Sequence, residues 1–192
     1  LSLERMAAPS PLPPTFSAWF ASRGWNARPH QLALLDEARV GLSTLLVAPT
    51  GAGKTLAGFL PSLVELTERA GARDGLHTLY ISPLKALAVD IARNLEAPIR
   101  EMSLPITVET RTGDTSAAKR LRQIQRPPDI LLTTPEQLAL LVSHRDAAPF
   151  FANLRRIVLD VVHALVTSKR GDLRSLDLSR LRALAPQVRA DG

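Results

Sequence analysis

The run Ala48-Pro49-Thr50-Gly51-Ala52-Gly53-Lys54-Thr55 decides how the rest of the chain is read. It follows a short apolar segment, Thr44-Leu45-Leu46-Val47, and leads into an apolar helical pattern from Leu56. Strand, glycine-rich turn, Lys-Thr and helix, in that order, predict a loop that cradles phosphates. Glycine lets backbone N–H groups close around phosphate oxygens without side chains intervening. In such a loop Lys54 reaches the β- and γ-phosphates, Thr55 holds Mg²⁺ through its hydroxyl, and the helix N-terminus adds its dipole. The strict pattern asks for Gly at position 48, where this chain has Ala; the Gly-Lys-Thr end is intact.

At 192 residues the chain fits one domain that buries about two-thirds of its unfolded surface. No run approaches the roughly 18 uninterrupted apolar residues of a membrane span, so no membrane partner is expected. Residues 1–14 lack a charged segment followed by an apolar one, so no secretory leader is read and a cytoplasmic location is expected. The absence of cysteine excludes disulfides and thiolate metal sites. Residues 1–110 carry ten basic and ten acidic side chains; residues 111–192 carry fourteen and eight, so the net +6 lies in the second part. A basic half rich in Arg suits an anionic polymer, or equally a set of solvated helix faces.

Outward from the loop, residues 1–15 hold four prolines and read as an irregular lead-in to a domain over 16–192. Phe16 to Arg23 predicts a short helix with Phe16, Trp19 and Phe20 on one side. A second opens at Arg28-Pro29-His30-Gln31, carries Leu32, Leu35 and Ala38, and stops at Gly41. The helix after the loop is expected to kink or divide at Pro61. Strands are expected at 44–47, 77–81, 106–109, 129–132 and 156–159. Ser82-Pro83 is expected to cap a helix that is disturbed at Pro98. Residues 111–115 read as a turn before a basic helix, Ser116 to Gln125, and Thr134 with Gln137 reads as a capping box around Pro135. Gly171 to Ala185 reads as a last amphipathic helix. Alternating strands and helices with apolar strands predict an α/β three-layer sandwich on a mainly parallel sheet, with ligands at the carboxyl ends of the strands.

Taken together, Gln31, APTGAGKT at 48–55, SPLKALAVD at 82–90, RTGDT at 111–115, TTPEQLALL at 133–141 and Asp160-Val161-Val162-His163 resemble a superfamily 2 helicase. They resemble its first RecA-like, P-loop NTPase domain in the large helicase-related group. HALVTSKRGDL at 163–173 is similar to the bacterial ligase-associated DExH-box helicases. The resemblance implies ATP and Mg²⁺ as cofactors. Gln31 would read adenine; Thr50, Gly51, Ala52, Gly53, Lys54 and Thr55 would hold the phosphates; Thr55 and Asp160 would share the metal. Lys54, Asp160 and His163 would be the catalytic set.

Ser82, Pro83, Lys85, Arg111, Gly113, Thr115, Thr133, Thr134 and Glu136 would contact the nucleic-acid backbone, independently of base sequence. For Lys85 this reading is preferred to a solvated helix charge. Lys119, Arg120 and Arg122 are expected simply to be exposed, and Trp19 and Trp25 to be core residues and not adenine contacts. The resemblance further implies single-stranded or duplex DNA, or an RNA–DNA hybrid, as partner, and 3′–5′ unwinding in DNA repair. It also implies ligase or nuclease partners, a nucleoid-associated setting, and a second RecA-like domain in the parent protein.

Two departures stand out. The family has Glu where this chain has Val161, and Val can neither orient nor deprotonate water. Losing such a base costs about 10²–10⁴-fold in rate. The chain also stops at Gly192, where the family's next strand and its Ser-Ala-Thr motif are expected to begin, so the sheet is expected to lack its last strands. This chain is therefore expected to bind ATP-Mg²⁺ and the nucleic-acid backbone but to hydrolyse poorly and not to unwind alone; the alternative is a degenerate ATP- and nucleic-acid-binding fragment without catalytic activity.

Overall fold

A computed structural model describes residues 12–41, 53–69, 75–159 and 189–191. The strand expected at 44–47, most of the phosphate loop, the Asp160 to His163 segment and the helix expected at 171–185 lie outside the described residues.

Three helices come first: α1 (Pro14–Ser22), α2 (Pro29–Val40) and α3 (Lys54–Glu68). Pro29 occupies the first turn of α2, where its missing N–H costs nothing, and Gly41 closes that helix at φ 82°. Leu34 joins Leu35 and Ala38 on its buried face, and Leu32 is only half-buried. α3 runs through Pro61 undivided, so of the expected kink or division the division does not occur. The flanking side chains account for this. Ala57, Phe59, Leu60, Leu63 and Val64 are all buried, and that packing outweighs the single helical hydrogen bond the ring removes.

The remaining elements alternate: β1 (Thr78–Ile81), α4 (Lys85–Glu101), β2 (Val108–Arg111), α5 (Ala117–Gln125), β3 (Ile130–Thr133), α6 (Pro135–Val142), α7 (Ala147–Phe151), β4 (Arg156–Leu159) and β5 (Arg189–Asp191). The sheet order is β2-β3-β1-β4-β5, and every pairing is parallel. One face packs Tyr80, Ile130, Leu132 and Val158 against Leu35, Phe59, Leu63, Ile91 and Leu95. The other packs Leu79, Ile81, Leu131 and Ile157 against Leu138, Leu141, Phe150 and Phe151. Successive strand residues thus enter opposite cores, which is why the strands read as unbroken apolar runs. The expected α/β three-layer sandwich is the observed fold.

Several local expectations are corrected. The second strand spans 108–111, so Arg111 ends a strand instead of opening a turn. Residues 189–191 pair in parallel with β4, so the sheet already carries a strand beyond it. The short helix α7 has no counterpart in the sequence reading; its Phe150 and Phe151 are buried and set edge to face at 4.9 Å. Ser82 is not a helix cap. Leu84 holds that position, and Ser82 Oγ accepts its N–H at 3.3 Å. The capping box at α6 does not form: Thr134 makes no side-chain cap bond, and Gln137 is buried with Oε1 unpartnered.

Candidate nucleotide and nucleic-acid site

Strand register decides the geometry. Ile81 stands beside Thr133 on one side and Leu159 on the other, and Thr133 stands beside Arg111. Strands β2, β3, β1 and β4 therefore end level. Ser82, Thr112 and Thr134 follow on one rim, about 4.8 Å apart from strand to strand. Stretches as far apart in the chain as Ile81 and Leu159 meet along one edge.

Gln31 meets the residue that precedes α3. It is 3% exposed in the first turn of α2, where Arg28 N–H donates to its Oε1 at 2.9 Å and its Nε2 donates to the Gly53 carbonyl at 3.4 Å. Each end of the amide keeps a second hydrogen-bonding position for a ligand. Gly53 precedes α3 at φ 71°, and a Cβ there would lie 3.0 Å from Gln31 Nε2. A left-handed residue pressed against a buried amide is a place for glycine only. The N-terminus of α3 has no side-chain cap, so its backbone donors and positive dipole end remain for phosphate. These features fit a nucleoside triphosphate. Thr55 is half-buried in the first turn of α3. Thr50, Gly51, Ala52, Asp160, Val161 and His163 lie outside the described residues, as does the Lys54 side chain.

The second part of the rim is built around Arg111. Its side chain is 6% exposed and donates through Nη1 to the Arg120 carbonyl at 3.2 Å, with Nε unpartnered. Its own carbonyl accepts from Thr133 Oγ1 at 2.8 Å, which ties β2 to β3. Arg120 is not simply exposed. Its Nη2 donates to the carbonyls of Thr112 and Gly113 at 3.3 and 2.8 Å, and its Nε is buried without a partner. Among the described residues no carboxylate pairs with either guanidinium. Burial, and secondarily the charge of Arg120, pushes the Arg111 guanidinium below its ordinary pKa.

The turn after β2 is internally braced, with Thr112 N–H donating to Thr115 Oγ1 at 2.9 Å. Gly113 in that turn is exposed, and a Cβ on it would meet nothing within 4 Å. Lys85, at the start of α4, forms an ion pair with Asp114 of the same turn. Thr133 and Thr134 are buried, Pro83 is half-buried and Glu136 is exposed. Arg122 instead makes a two-point pair with Glu109 at 2.9 and 2.8 Å.

Trp19 lies away from this rim, as expected of a core residue. It is buried and donates Nε1–H to Glu101 at 2.7 Å, joining α1 to the far end of α4. Trp25 is 50% exposed, stacked under the Arg23 guanidinium, so it is not a core residue. Sequence reasoning missed Arg120, because a helix with three basic residues in four positions carries no sign of which one turns inward.

Residues 28–190 match the DEAD/DEAH box helicase family. The chain belongs to that family. Its matched relatives include the ATP-dependent helicase Lhr-Core protein 2 of Thermococcus barophilus, 38% identical over 87% of this chain and 21% of the relative. The Lhr helicase/probable uracil glycosylase of Mycolicibacterium smegmatis is 40% identical over 86% of this chain and 12% of its own length. Among solved structures, Mycobacterium smegmatis helicase Lhr bound to ssDNA and AMP-PNP superposes with a TM-score of 0.80 at 37% identity, covering 94% of this chain and 24% of that one. The DEAD-box helicase Mss116, at 19% identity and a TM-score of 0.74, shares the fold. The DEAD/DEAH domain therefore has the RecA-like fold of a first helicase motor domain. It spans between an eighth and about a fifth of the length of these two curated relatives. No helix among the described residues is long and apolar enough to cross a membrane.

Proposed function

We propose that this chain is the ATP-gripping first motor domain of a DNA helicase of the Lhr kind. One observation carries the reading: Ser82, Arg111 and Thr133 lie along a single strand-end rim, and a buried Gln31 closes on Gly53 before α3, in a fold shared with a relative that binds ssDNA and AMP-PNP. In this reading Gln31 selects adenine. Thr50, Gly51, Ala52, Gly53 and Lys54 hold the phosphates, and Thr55 and Asp160 share Mg²⁺, which neutralises charge on the transferring phosphoryl group. His163 links the nucleotide side to the strand side. Ser82, Pro83, Lys85, Arg111, Gly113, Thr115, Thr133, Thr134 and Glu136 face the nucleic-acid backbone. The 3′–5′ direction, the repair role, the cytoplasmic setting and the ligase or nuclease partners belong to the same proposal. So does a second RecA-like domain that closes on the ATP.

A second reading is favoured by Val161 alone. A chain with Val where water must be oriented holds ATP and DNA but turns over slowly. Nucleotide affinity and DNA-stimulated hydrolysis, measured with and without a second motor domain, separate the two. Val161→Glu is expected to raise hydrolysis about 10²-fold or more while leaving ATP affinity within about twofold. An unmodified chain that already hydrolyses at the rate of its Val161→Glu variant removes the second reading. Lys54→Ala with unchanged ATP affinity removes both.

A further inference from the structure

We propose that Asp114 is a built-in competitor for the strand-binding rim: its carboxylate occupies Lys85 until a nucleic-acid phosphate displaces it, and so weakens the grip. This rests on the reading of Lys85 as a backbone contact.

Lys85 is an unusual residue for its place. It opens a 17-residue helix whose N-terminus is the positive end of the dipole, and the first turn of that helix has neither an acidic residue nor a side-chain cap. A lysine there adds positive charge to positive charge, an arrangement that suits an incoming anion better than it suits the helix. The anion that answers it comes from a different element. Asp114 lies in the turn after β2 and pairs with Lys85 across the rim. The turn does not reach Lys85 by being loose. Thr115 N–H donates to the Thr112 carbonyl at 3.1 Å, Thr112 N–H returns to Thr115 Oγ1, and Arg120 grips the carbonyls of Thr112 and Gly113. Asp114 is thus presented from a braced platform, with open space beside Gly113 through which a strand can approach.

The pair suits displacement. Its side chains are 53% and 68% exposed, and ion pairs that open to water contribute little to stability. A phosphate oxygen offers Lys85 a charge-assisted bond of the same kind, and its arrival leaves Asp114 as an uncompensated negative charge beside the strand. Binding then exchanges one pair for another, so Lys85 delivers less affinity than a free lysine at that position.

The test is a double-mutant cycle on the chain, read by anisotropy of a fluorescein-labelled oligo-dT across a salt series. Asp114→Asn is expected to tighten binding about two- to fivefold at low salt, with an unchanged thermal midpoint. Lys85→Ala is expected to cost more affinity in the Asp114→Asn background than in the unmodified chain. Equal costs in the two backgrounds would show that Lys85 grips the strand but Asp114 does not compete for it, which overturns the proposal alone. No cost in either background removes the Lys85 contact itself. Unchanged or weaker binding by Asp114→Asn also overturns the proposal.

Discussion

The two rims of the sheet treat charge in opposite ways. At the amino-terminal rim one carboxylate serves four basic groups. Glu65 receives Arg69 at 3.1 Å, Arg156 at 3.3 Å, His77 at 3.4 Å and Arg155 at 3.7 Å. Beside it, Asp129 accepts from the backbone and hydroxyl of Thr107 at 2.7 Å each, and Thr78 Oγ1 bridges His77 to Ser62. At the carboxyl-terminal rim Arg111 is equally buried, yet among the described residues it meets a carbonyl and a second arginine and no carboxylate. A buried charge without a counter-ion is costly and a paired one is held in place. The first rim is therefore built for the fold; at the second, the proposed strand would supply the negative charge that no described carboxylate supplies.

Removing one group from each rim tests that contrast, and the largest effect is expected at the paired rim. Glu65→Ala removes the carboxylate paired with the Arg156 guanidinium, which is 3% exposed. The expected loss is about 2–3 kcal/mol, the lower part of the range for a broken buried pair because Glu65 keeps 31% side-chain exposure, with a thermal midpoint about 5–10 °C lower. Oligonucleotide affinity should not move.

Arg111→Met is the converse experiment. It keeps an apolar stem of similar length and removes an unpaired buried charge, so the thermal midpoint should hold or rise. Binding to oligo-dT should weaken about five- to twentyfold at low salt, and its logarithmic salt slope should shrink by about 0.7. A large loss of stability here, with affinity intact, would make the two rims alike.

The smallest effect is in pH. His77 first, then the charges of His77, Arg69 and Arg156, hold the Glu65 carboxyl at about 2 against an ordinary 4.5, with burial opposing them. A depressed folded-state pKa means that the unfolded chain binds more protons between those values. The stability from Glu65 is complete above about pH 4.5 and is lost as pH falls toward 2. The thermal midpoint of Glu65→Gln should therefore fall less steeply over that window than that of the unmodified chain.

Much of this was legible in the residues. Pro29 and Gly41 bound α2 because their backbone preferences act locally, and β4 falls at the expected residues because Arg156-Ile157-Val158-Leu159 leaves little alternative. The phosphate loop announces itself through glycines whose need is stereochemical, and Gly53 at φ 71° against Gln31 bears that need out. Errors arose where a local preference met a tertiary one. Pro61 fails to divide α3 because the side chains around it are buried, and Thr134 with Gln137 forms no capping box although the spacing permits it.

What the sequence determined by itself was the set of chemical parts and their periodicity: a glycine loop, a Lys-Thr pair, apolar strands, a Val at position 161. Only tertiary structure decided which parts meet. Level strand ends put Ser82, Arg111 and Thr133 on one rim, and packing turned Arg120 inward onto the Thr112 and Gly113 carbonyls while Arg122 stayed with Glu109. Charge counts cannot distinguish those arginines, because pairing is a property of position in space, and position is set by register and burial.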